Sequence, residues 1–387
     1  MLKKIIAPLF LITIALPAFG IDLLPQESPG FFGRKVRNLG MGNVGVSVLG
    51  TVDSSAFYNP AGLNDLTDKD SELRFLTMTF GVSQNAFSLL NDVRDLSDDL
   101  GDANTDSDKV RTLNDFINER NGEFQHFRVG VEVVSYTRKN FAAGLLFDER
   151  LDLSFRDQSF PHFDMRNLGD AGGYVAFSTG FWDKLLQMGM TFKPVMRFAM
   201  RESDQQVTYA DVTAENSKGD PILIDQFKNI YEDRQFAIPV DFGVKSNLAF
   251  GALKDSFFID QLKPQIGVTW EDIGSPSFAP LTTQGQTVNA GVSINPEFAK
   301  FKTLFAAEFR EINRDRPLLS KLHLGTEVKF PWILAVRGGL SQGYLTGGVT
   351  VDLWVVKIDG AVYYEEVGFH TRQDGNLRYA ATLGFKI

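Results

Sequence analysis

The sequence predicts an all-β fold, an antiparallel β-barrel of about 14 strands. Two observations carry this prediction: apolar and polar residues alternate with a period of two along most of the chain, and the first residues resemble an export signal. A period of two places successive side chains on opposite faces of a strand. The alternating segments have roughly the ten residues that a tilted strand needs to cross a bilayer.

The alternation is clearest in "KLHLGTEVKF" (321–330). Leu322, Leu324 and Val328 share one face of this segment, whereas His323 and Glu327 share the other. The same pattern recurs in segments 127–133, 187–200, 238–245, 262–273, 302–312, 344–355, 356–365 and 376–387.

The polar face is charged over the whole length, which distinguishes this chain from an ordinary soluble sandwich. The sequence also predicts short turns at one end of the barrel, "SQG" (341–343) and "DGN" (374–376), alternating with longer ones. An apolar lipid face and a polar lumen account for these features together. We therefore predict a transmembrane barrel over residues 67–387 in the bacterial outer membrane. A secreted soluble β-protein is the alternative.

The first 20 residues, "MLKKIIAPLFLITIALPAFG", have two lysines, an apolar run and small residues at their end. This is the pattern of a secretory signal peptide. A membrane anchor would need about 20 uninterrupted apolar residues, and prolines interrupt this run. The chain has no cysteine, which excludes disulfides, a thiol nucleophile and a lipid anchor on cysteine. Its formal net charge of −9 predicts no nucleic-acid partner.

The region 84–121 departs from the strand pattern. Its apolar residues recur every three or four positions on either side of "GDANTDSD" (101–108), which predicts two amphipathic helices joined by an acidic linker. We expect a helical excursion between the first two strands, either a solvated lid on the rim or a cap that collects substrate. The linker lacks the glycine and glutamate positions of a calcium loop, so no metal site is predicted.

Residues 21–66 precede the first predicted strand (73–80) and are rich in glycine, which predicts a hatch or plug in the lumen. Gly40, Gly42 and Gly45 within this block have the G-x-G-x-x-G spacing of a nucleotide loop. A dinucleotide site also requires a preceding strand and a following helix in a βαβ unit. That context is absent from the sequence pattern, so no cofactor is predicted.

The hatch has two further sequence features. The three glycines are expected to let the backbone pass close to the barrel wall. Asn59 and Pro60 predict the start of a turn, and Gly62 is expected to close that turn or to cap a short helix.

The stretch "GLSQG" (339–343) matches the nucleophile elbow of hydrolases. That elbow needs a strand-to-helix turn, whereas Ser341 lies between two alternating strands. The sequence predicts a hairpin turn here, with a positive φ at Gly343. None of the four histidines lies in a motif that selects it as a base. We therefore predict no catalytic site.

Charged residues on the polar faces are the candidate lumen residues. They are Arg128, Glu132, Lys193, Arg197, Asp241, Glu271, Glu327 and Arg337, with Lys245, Glu308, Arg310, Lys329, Asp352 and Arg378 in the same set. Their mixed signs favour ion-pair ladders that stiffen a filled lumen over a selectivity filter of one sign.

Motifs at both ends of the chain carry a family resemblance. The N-terminal ones consist of Arg37, Leu39, Gly40, Met41, Gly42, Val46, Ser47, Asp53, Ser54, Tyr58, Asn59, Pro60, Ala61, Gly62 and Leu63. Together they resemble the FadL-like family of outer-membrane proteins, which includes fatty acid and aromatic-hydrocarbon transporters and PorV-like components of type IX secretion. The stretch 322–354 looks like the closing strands of PorV/TraF-type relatives. The last strand (376–387) resembles a terminal insertion signal, except that Ile387 replaces the usual final aromatic residue.

The resemblance implies a 14-stranded barrel with an N-terminal hatch and, in transporting members, a lateral opening in the wall. From it we expect transport of a hydrophobic, fatty acid-like small molecule with release into outer-membrane lipid. The alternative is a PorV-like scaffold with a partner in a secretion or surface-attachment system.

Overall fold

The computed structural model describes residues 32–102, 105–156, 162–182, 184–201, 205–208, 233–248, 256–281, 283, 285–298, 301–368 and 370–387. The predicted signal peptide (1–20) and the first part of the predicted hatch (21–31) lie outside the described residues. No helix within the described ranges is long and apolar enough to cross a membrane.

Eighteen β-strands follow one another along the described chain. They are β1 (Glu72–Ser83), β2 (Phe124–Arg138), β3 (Phe141–Arg156), β4 (His162–Phe181), β5 (Leu186–Phe192), β6 (Val195–Ala199), β7 (Gln206–Val207), β8 (Arg234–Ala237), β9 (Val240–Asn247), β10 (Gln265–Glu271), β11 (Thr287–Ile294), β12 (Glu297–Phe298), β13 (Phe301–Phe309), β14 (Leu322–Lys329), β15 (Leu334–Ser341), β16 (Tyr344–Asp352), β17 (Val356–Glu366) and β18 (Gly375–Lys386).

These strands form one closed antiparallel barrel. The first strand, β1, pairs with both β2 and β18, which closes the sheet. Strands β5 and β6 are two halves of one strand interrupted at Lys193 and Pro194, and β8 and β9 are halves of the next, interrupted at Ile238 and Pro239. With the two-residue strands β7 and β12 as local extensions, the wall has 14 strands, which confirms the predicted fold class.

The two faces of the wall are inverted relative to a soluble protein. On β14, Glu327 is only 2% exposed, whereas Leu324 is 40% exposed. The same inversion recurs around the barrel, with exposed Phe305 and Val336 pointing away from the lumen. An apolar exterior and a polar interior are the surfaces of a lipid-embedded barrel. The protein is a β-barrel of the bacterial outer membrane.

The two ends of the barrel differ in their connections. The chain termini meet at one end, where Leu73 donates to the Ile387 carbonyl at 3.1 Å. Short turns at 139–140, 182–185, 330–333 and 353–355 lie at that end, whereas the opposite end carries the longer connections 84–123, 272–286 and 310–321. Short periplasmic turns and longer extracellular loops are typical of outer-membrane barrels, which places the termini on the periplasmic side.

This orientation corrects one prediction. The turn at 341–343 lies at the extracellular end, together with the long loops. The turn predicted at 374–376 lies at that end too, but the connection there spans residues 367–374, and Gly375 and Asn376 already belong to β18. Strand direction reverses at every crossing, so the end to which a turn belongs depends on the complete strand count. Turn length alone cannot assign it.

Three tryptophans lie on the periplasmic turns. Trp182, Trp332 and Trp354 are 74%, 96% and 86% exposed. Tryptophan is enriched where bilayer meets water because its ring is amphipathic. These side chains form a band of interface anchors at the periplasmic rim.

Residues 32–66 pack against inward-facing positions on several sides of the wall. They form the short helices α1 (Val36–Leu39) and α2 (Ser55–Tyr58) and the 3₁₀ helix Pro60–Asp65. Their apolar side chains form separate clusters with Ala142, Leu146, Tyr174 and Ala176 of β3 and β4, with Leu304 and Ala306 of β13, and with Ala361, Tyr363 and Ala380 of β17 and β18. The segment therefore lies inside the barrel.

Two helices, α3 (Ala86–Asp102) and α4 (Asp106–Glu119), connect β1 to β2. Their buried Leu89, Leu113 and Ile117 pack with Phe155 and Phe127 of the wall. These phenylalanines occupy outward positions, since they alternate with inward charged residues of β2 and β3. The helices therefore pack on the outer face of the wall, where apolar partners are available, and not across the lumen as a cap would. Two further short helices are α5 (Phe257–Leu262) and α6 (Leu318–Lys321).

Candidate functional site

The glycine-rich loop lies against the backbone of the wall. Gly42 has a φ of 66°, and a Cβ built on it would lie 2.1 Å from the Leu324 carbonyl oxygen. A Cβ on Gly40 would lie 2.8 Å from the Gly348 Cα. No larger residue fits either position without displacing backbone, so Gly40 and Gly42 permit the close approach expected from the sequence. Gly45 does not approach the wall in this way: a Cβ on it would lie 2.4 Å from the Tyr58 ring of the segment itself.

The same loop binds an anion, but the anion is a side chain of the protein itself. The Glu308 Oε1 atom of β13 accepts hydrogen bonds from three consecutive backbone amides, Gly45 at 2.9 Å, Val46 at 2.7 Å and Ser47 at 3.2 Å. Consecutive amides that converge in this way form an anion-binding nest. The spacing that resembles a nucleotide loop thus serves to dock the segment onto the wall.

The Asn-Pro turn contacts both the glycine-rich part of the segment and the wall. The Asn59 side chain accepts from the Ala61 amide at 3.1 Å and donates to the carbonyls of Val46 at 2.7 Å and Val244 at 3.2 Å. Pro60 begins the 3₁₀ helix Pro60–Asp65. Gly62 closes this turn, as expected, because its amide donates to the Asn59 carbonyl at 2.9 Å. It lies inside the 3₁₀ helix and packs against Gly50.

Some of the predicted lumen residues bind the segment directly. Glu327 accepts from Arg37 at 2.7 Å and from Arg337 of β15 at 2.5 Å. Glu132 binds Lys35 at 2.9 Å. Lys245 of the wall pairs in the same way with Asp65. Charges of the wall and of the segment therefore neutralise each other.

The other predicted lumen residues pair within the wall and its loops. The pairs are Arg128 with Asp148 (2.5 Å), Arg197 with Asp170 (2.7 Å), Lys193 with Asp241 (2.9 Å) and Asp272 (2.7 Å), and Glu271 with Arg310 (3.4 Å). Each of the eight predicted residues thus has a partner of opposite sign. This arrangement is a set of ion-pair ladders and differs from a ring of one sign that would select ions.

Asp53 in the N-terminal segment anchors the segment near the start of β1. It pairs with Arg74 of β1 and Lys357 of β17. Burial alone would raise the pKa of Asp53, but the two cations outweigh burial and hold this pKa well below its usual range. The carboxylate therefore stays ionised at neutral pH.

Ser341 has a neighbour that the sequence did not reveal. The Ser341 Oγ atom lies 3.2 Å from the Nδ1 atom of His323, because the two residues are paired across β14 and β15. The same Nδ1 atom is 2.8 Å from the Gly42 carbonyl oxygen. A carbonyl only accepts, so Nδ1 carries the proton and cannot act as a base towards Ser341. The contact is a structural link between the wall and the glycine loop.

An apolar track follows one side of the lumen. At its extracellular end, Phe278 and Leu281 pack on Leu168, Val195 and Ala199 of the inner wall. Phe32 of the N-terminal segment also contacts this cluster. Sequence alternation did not identify the track because several of its residues come from loops and the glycine-rich segment.

The track continues towards the periplasmic end. Phe32 packs edge-on against Phe57 with ring centroids 6.4 Å apart, and Phe57 packs against Tyr174 at 4.6 Å. Leu63 and Leu66 belong to the same cluster. Apolar side chains therefore follow the segment through the lumen, and charged groups lie against them. The Lys35 ammonium, which pairs with Glu132, is 4.7 Å from the centroid of the Phe57 ring, and the Arg197 guanidinium is 4.0 Å from that of Phe278.

The wall is weakened beside this track. Pro194 and Pro239 interrupt two adjacent strands at the same height, and neither residue has an N–H to donate. In this region, the Gly173 N–H donates to the Pro194 carbonyl at 3.0 Å and the Lys193 N–H donates to the Pro239 carbonyl at 2.9 Å. Val195, which belongs to the track, is the next residue after Pro194 in the sequence.

In the described part of the chain, two small cavities lie next to the segment of residues 32–66. One of about 70 Å³ lies beside Phe32, Phe57 and Lys193, and one of about 50 Å³ lies beside Arg128. Pockets that hold organic ligands have about 300–1,000 Å³. Neither of these two cavities is large enough to hold an organic ligand.

Comparisons with known proteins place this barrel among solved structures. No family model and no curated protein sequence matches the chain. A TodX monoaromatic hydrocarbon channel deltaS2 mutant shares 11% identity, with 92% of this chain and 97% of that chain covered and a TM-score of 0.48. A Pseudomonas aeruginosa FadL homologue shares 9% identity over 95% and 98% of the two chains, with a TM-score of 0.34. Both similarities extend over nearly the whole of the two chains compared, at low sequence identity.

Proposed function

We propose that the protein transports a hydrophobic, fatty acid-like small molecule across the outer membrane and releases it sideways through the wall. The observation that carries this proposal is the apolar track from Phe278 through Phe32 and Phe57 to Leu66. An ion channel has no use for such a path, whereas an apolar ligand is desolvated along it.

The weakened part of the wall is the proposed exit. Pro194 and Pro239 remove two donors from neighbouring ladders, so separating these strands breaks fewer hydrogen bonds there than elsewhere. At the same place, the Lys193 ammonium bridges Asp241 of β9 and Asp272, the residue directly after β10. We assign this bridge the role of a clasp that keeps the exit closed without ligand.

Passage requires the segment of residues 32–66, the proposed hatch, to move. The two cavities that border it near Phe32 and near Arg128 are too small for a fatty acid chain. Polar contacts, above all the Glu308 nest and the Arg37–Glu327 pair, hold the hatch together with its apolar clusters on the wall. When the hatch shifts, water can replace the partners of such polar contacts, whereas water cannot replace the partners of apolar contacts without a loss of stability.

A photoreactive long-chain fatty acid tests the proposal on the purified full chain. We expect labelling of peptides that contain Phe32, Phe57 and Val195, and loss of that labelling in Val195→Asp, which places a charge on the track. Thr79→Asp places the same carboxylate on the inner wall away from the track and should label normally. Equal labelling of both variants would contradict the proposed path.

A scaffold for a secretion or surface-attachment system is the second candidate. The small cavities and the many ion pairs between hatch and wall favour a permanently filled barrel. A scaffold predicts a stable, stoichiometric partner in membrane extracts and no specific labelling by the fatty acid probe.

A further inference from the structure

The apolar track ends beside a third cavity, of about 300 Å³, at the periplasmic mouth of the barrel. The cavity lies between residues 50–53 of the N-terminal segment and the β14–β15 turn. Val52 and Leu66 line it, and both also pack in the cluster that contains Phe57. Its volume reaches the range of pockets that hold small molecules. The track therefore borders, through two shared side chains, a space that can accept part of an apolar molecule.

Apolar side chains line the cavity on the side of the wall as well. Phe330, Ile333, Leu334 and Trp332 lie there, at the start of β15 and on the turn that precedes it. Exposure rises across the cavity, from 5% at Leu66 to 38% at Leu334 and 96% at Trp332. Tryptophan at this level marks the interface between bilayer and water. The cavity therefore connects the buried end of the track to the lipid interface at the periplasmic rim.

Charged residues of both signs complete the lining in equal numbers. They are Arg37, Lys329, Arg337 and Lys357, and Asp53, Asp70, Glu72 and Asp352. All eight are paired within the protein, the cations with Glu327 or Asp53 and the carboxylates with lysines or arginines or, for Asp70, with the Thr67 amide. A balanced and paired lining has no spare charge to compensate an ionised ligand. The cavity is thus suited to hold a molecule by its apolar chain and not by a charge.

The wall beside this cavity is intact. Strands β14 and β15 are paired down to Lys329 and Ala335, and the Phe330 amide of the turn donates to the Leu334 carbonyl at 2.9 Å. A molecule that leaves through the cavity passes under this turn and breaks no hydrogen bond of the wall. It requires displacement of the Val52 and Leu66 side chains, whereas the exit at Pro194 and Pro239 requires separation of two strands.

We propose that this cavity is a second outlet of the apolar track, which receives the apolar chain of the transported molecule at Leu66 and passes it to the lipid interface at Trp332. The proposal rests on the transport function proposed above and adds a site and a ligand class to it. The ligand is a molecule with a slender apolar chain, and the site accepts it whether or not its polar end is ionised. Burial of the chain between the hatch and the turn supplies the binding free energy.

The outlet is tested on the purified full chain with two photoreactive probes, a long-chain fatty acid and the corresponding fatty alcohol, each with a diazirine at the end of its chain. We expect both probes to label peptides that contain residues 330–335 to the same extent, because the lining has no net charge. Ala335→Trp places an indole in the cavity from the inner face of β15 and should abolish this labelling. Val349→Trp adds the same indole to the lipid face of β16, outside the cavity, and should label normally.

Val52→Phe narrows the cavity from the side of the hatch, should reduce the labelling of 330–335 as well, and repeats the test if Ala335→Trp does not fold. Equal labelling in the cavity variants and in Val349→Trp would overturn the proposal, because it would come from probe dissolved outside the barrel. Labelling by the acid alone would also overturn it. Labelling at Phe32 and Phe57 without labelling of 330–335 would reject the outlet and retain the transport function, whereas no labelling at either place would reject both.

Discussion

Glu308 in the barrel wall and Val46 in the N-terminal segment are joined by a 2.7 Å hydrogen bond, and the same carboxylate oxygen also accepts the amides of Gly45 and Ser47. One side chain of the wall thus holds three successive residues of the segment. Because the carboxylate is buried, these amides replace its hydration. The contact acts as a latch between the proposed hatch and the wall.

Glu308→Gln should loosen this latch. Hydrogen bonds to a charged acceptor contribute about 1.5–3 kcal/mol, against about 1 kcal/mol for a neutral one. We expect the amides of residues 45–47 to exchange with deuterium about tenfold faster, as followed by mass spectrometry of peptides from 40–50. Glu119→Gln, at the exposed end of α4, should leave this exchange unchanged. Equal exchange in Glu308→Gln and wild type would show that the nest does not hold the segment.

Gly42→Ala should displace the glycine loop. Its positive φ costs alanine about 1–2 kcal/mol, and the new methyl group would overlap the Leu324 carbonyl. We expect proteases to cleave within residues 32–66 of the folded barrel, where the wild type is protected. The matched control is Gly101→Ala, since a Cβ at Gly101 meets no atom within 4 Å in helix α3. Protection in Gly42→Ala equal to that of the control would contradict the packing described.

Removal of the two arginines at Glu327 should be strongly non-additive. Arg37→Met leaves the carboxylate bound by Arg337, so we expect a modest loss of stability. The double variant Arg37→Met/Arg337→Met leaves a poorly compensated buried charge, which typically costs about 3–5 kcal/mol. Urea unfolding of the single and the double variant in liposomes measures these two losses of stability.

The triple variant that also carries Glu327→Gln tests the cause of that loss. Neutralising the carboxylate should recover most of the stability lost in the double variant, because the poorly compensated charge of Glu327 is then removed. Simple addition of the single effects would show that the three side chains do not act as a unit.

The anchor at Asp53 should not respond to mild acid. A carboxyl whose pKa is lowered on folding stabilises the folded form above its unfolded pKa, and this contribution is lost only as pH falls through the lowered value. The unfolded value is about 3.9. Protease protection of residues 32–66 should therefore be constant between about pH 8 and about pH 5. Release near pH 6 would show that another group controls the segment.

The alternating pattern predicted the strands and their faces because the inversion of polarity extends around the whole barrel. It also predicted the hairpin after Ser341, where Gly343 has the expected positive φ of 88°. The same pattern could not supply the cross-strand register, since a period of two is unchanged by a shift of two residues. The pairing of Ser341 with His323 was missed for that reason.

The lumen was harder to predict than the wall. Residue type identified Glu132 and Glu327 as inward charges, but their partners Lys35 and Arg37 come from a segment without periodicity. Phe32 and Phe57 lie in the same segment, so their part in the apolar track depends on how it folds inside the barrel. The spacing of the apolar residues predicted the helices α3 and α4. It did not predict that these helices pack on the outer face of the wall.

The central claim is that the hatch must move for a hydrophobic molecule to pass. The Ser293 hydroxyl of β11 donates to the Ser47 carbonyl at 2.8 Å, so Ser47→Cys and Ser293→Cys place thiols on neighbouring residues of the hatch and the wall, in a sequence that has no other cysteine. The most direct measurement is uptake of a labelled long-chain fatty acid into liposomes by this double variant, oxidised and reduced. We predict that oxidation stops uptake and that a reductant restores it, with no effect of either treatment on the single variants. Equal uptake by the cross-linked and the reduced protein would contradict the account.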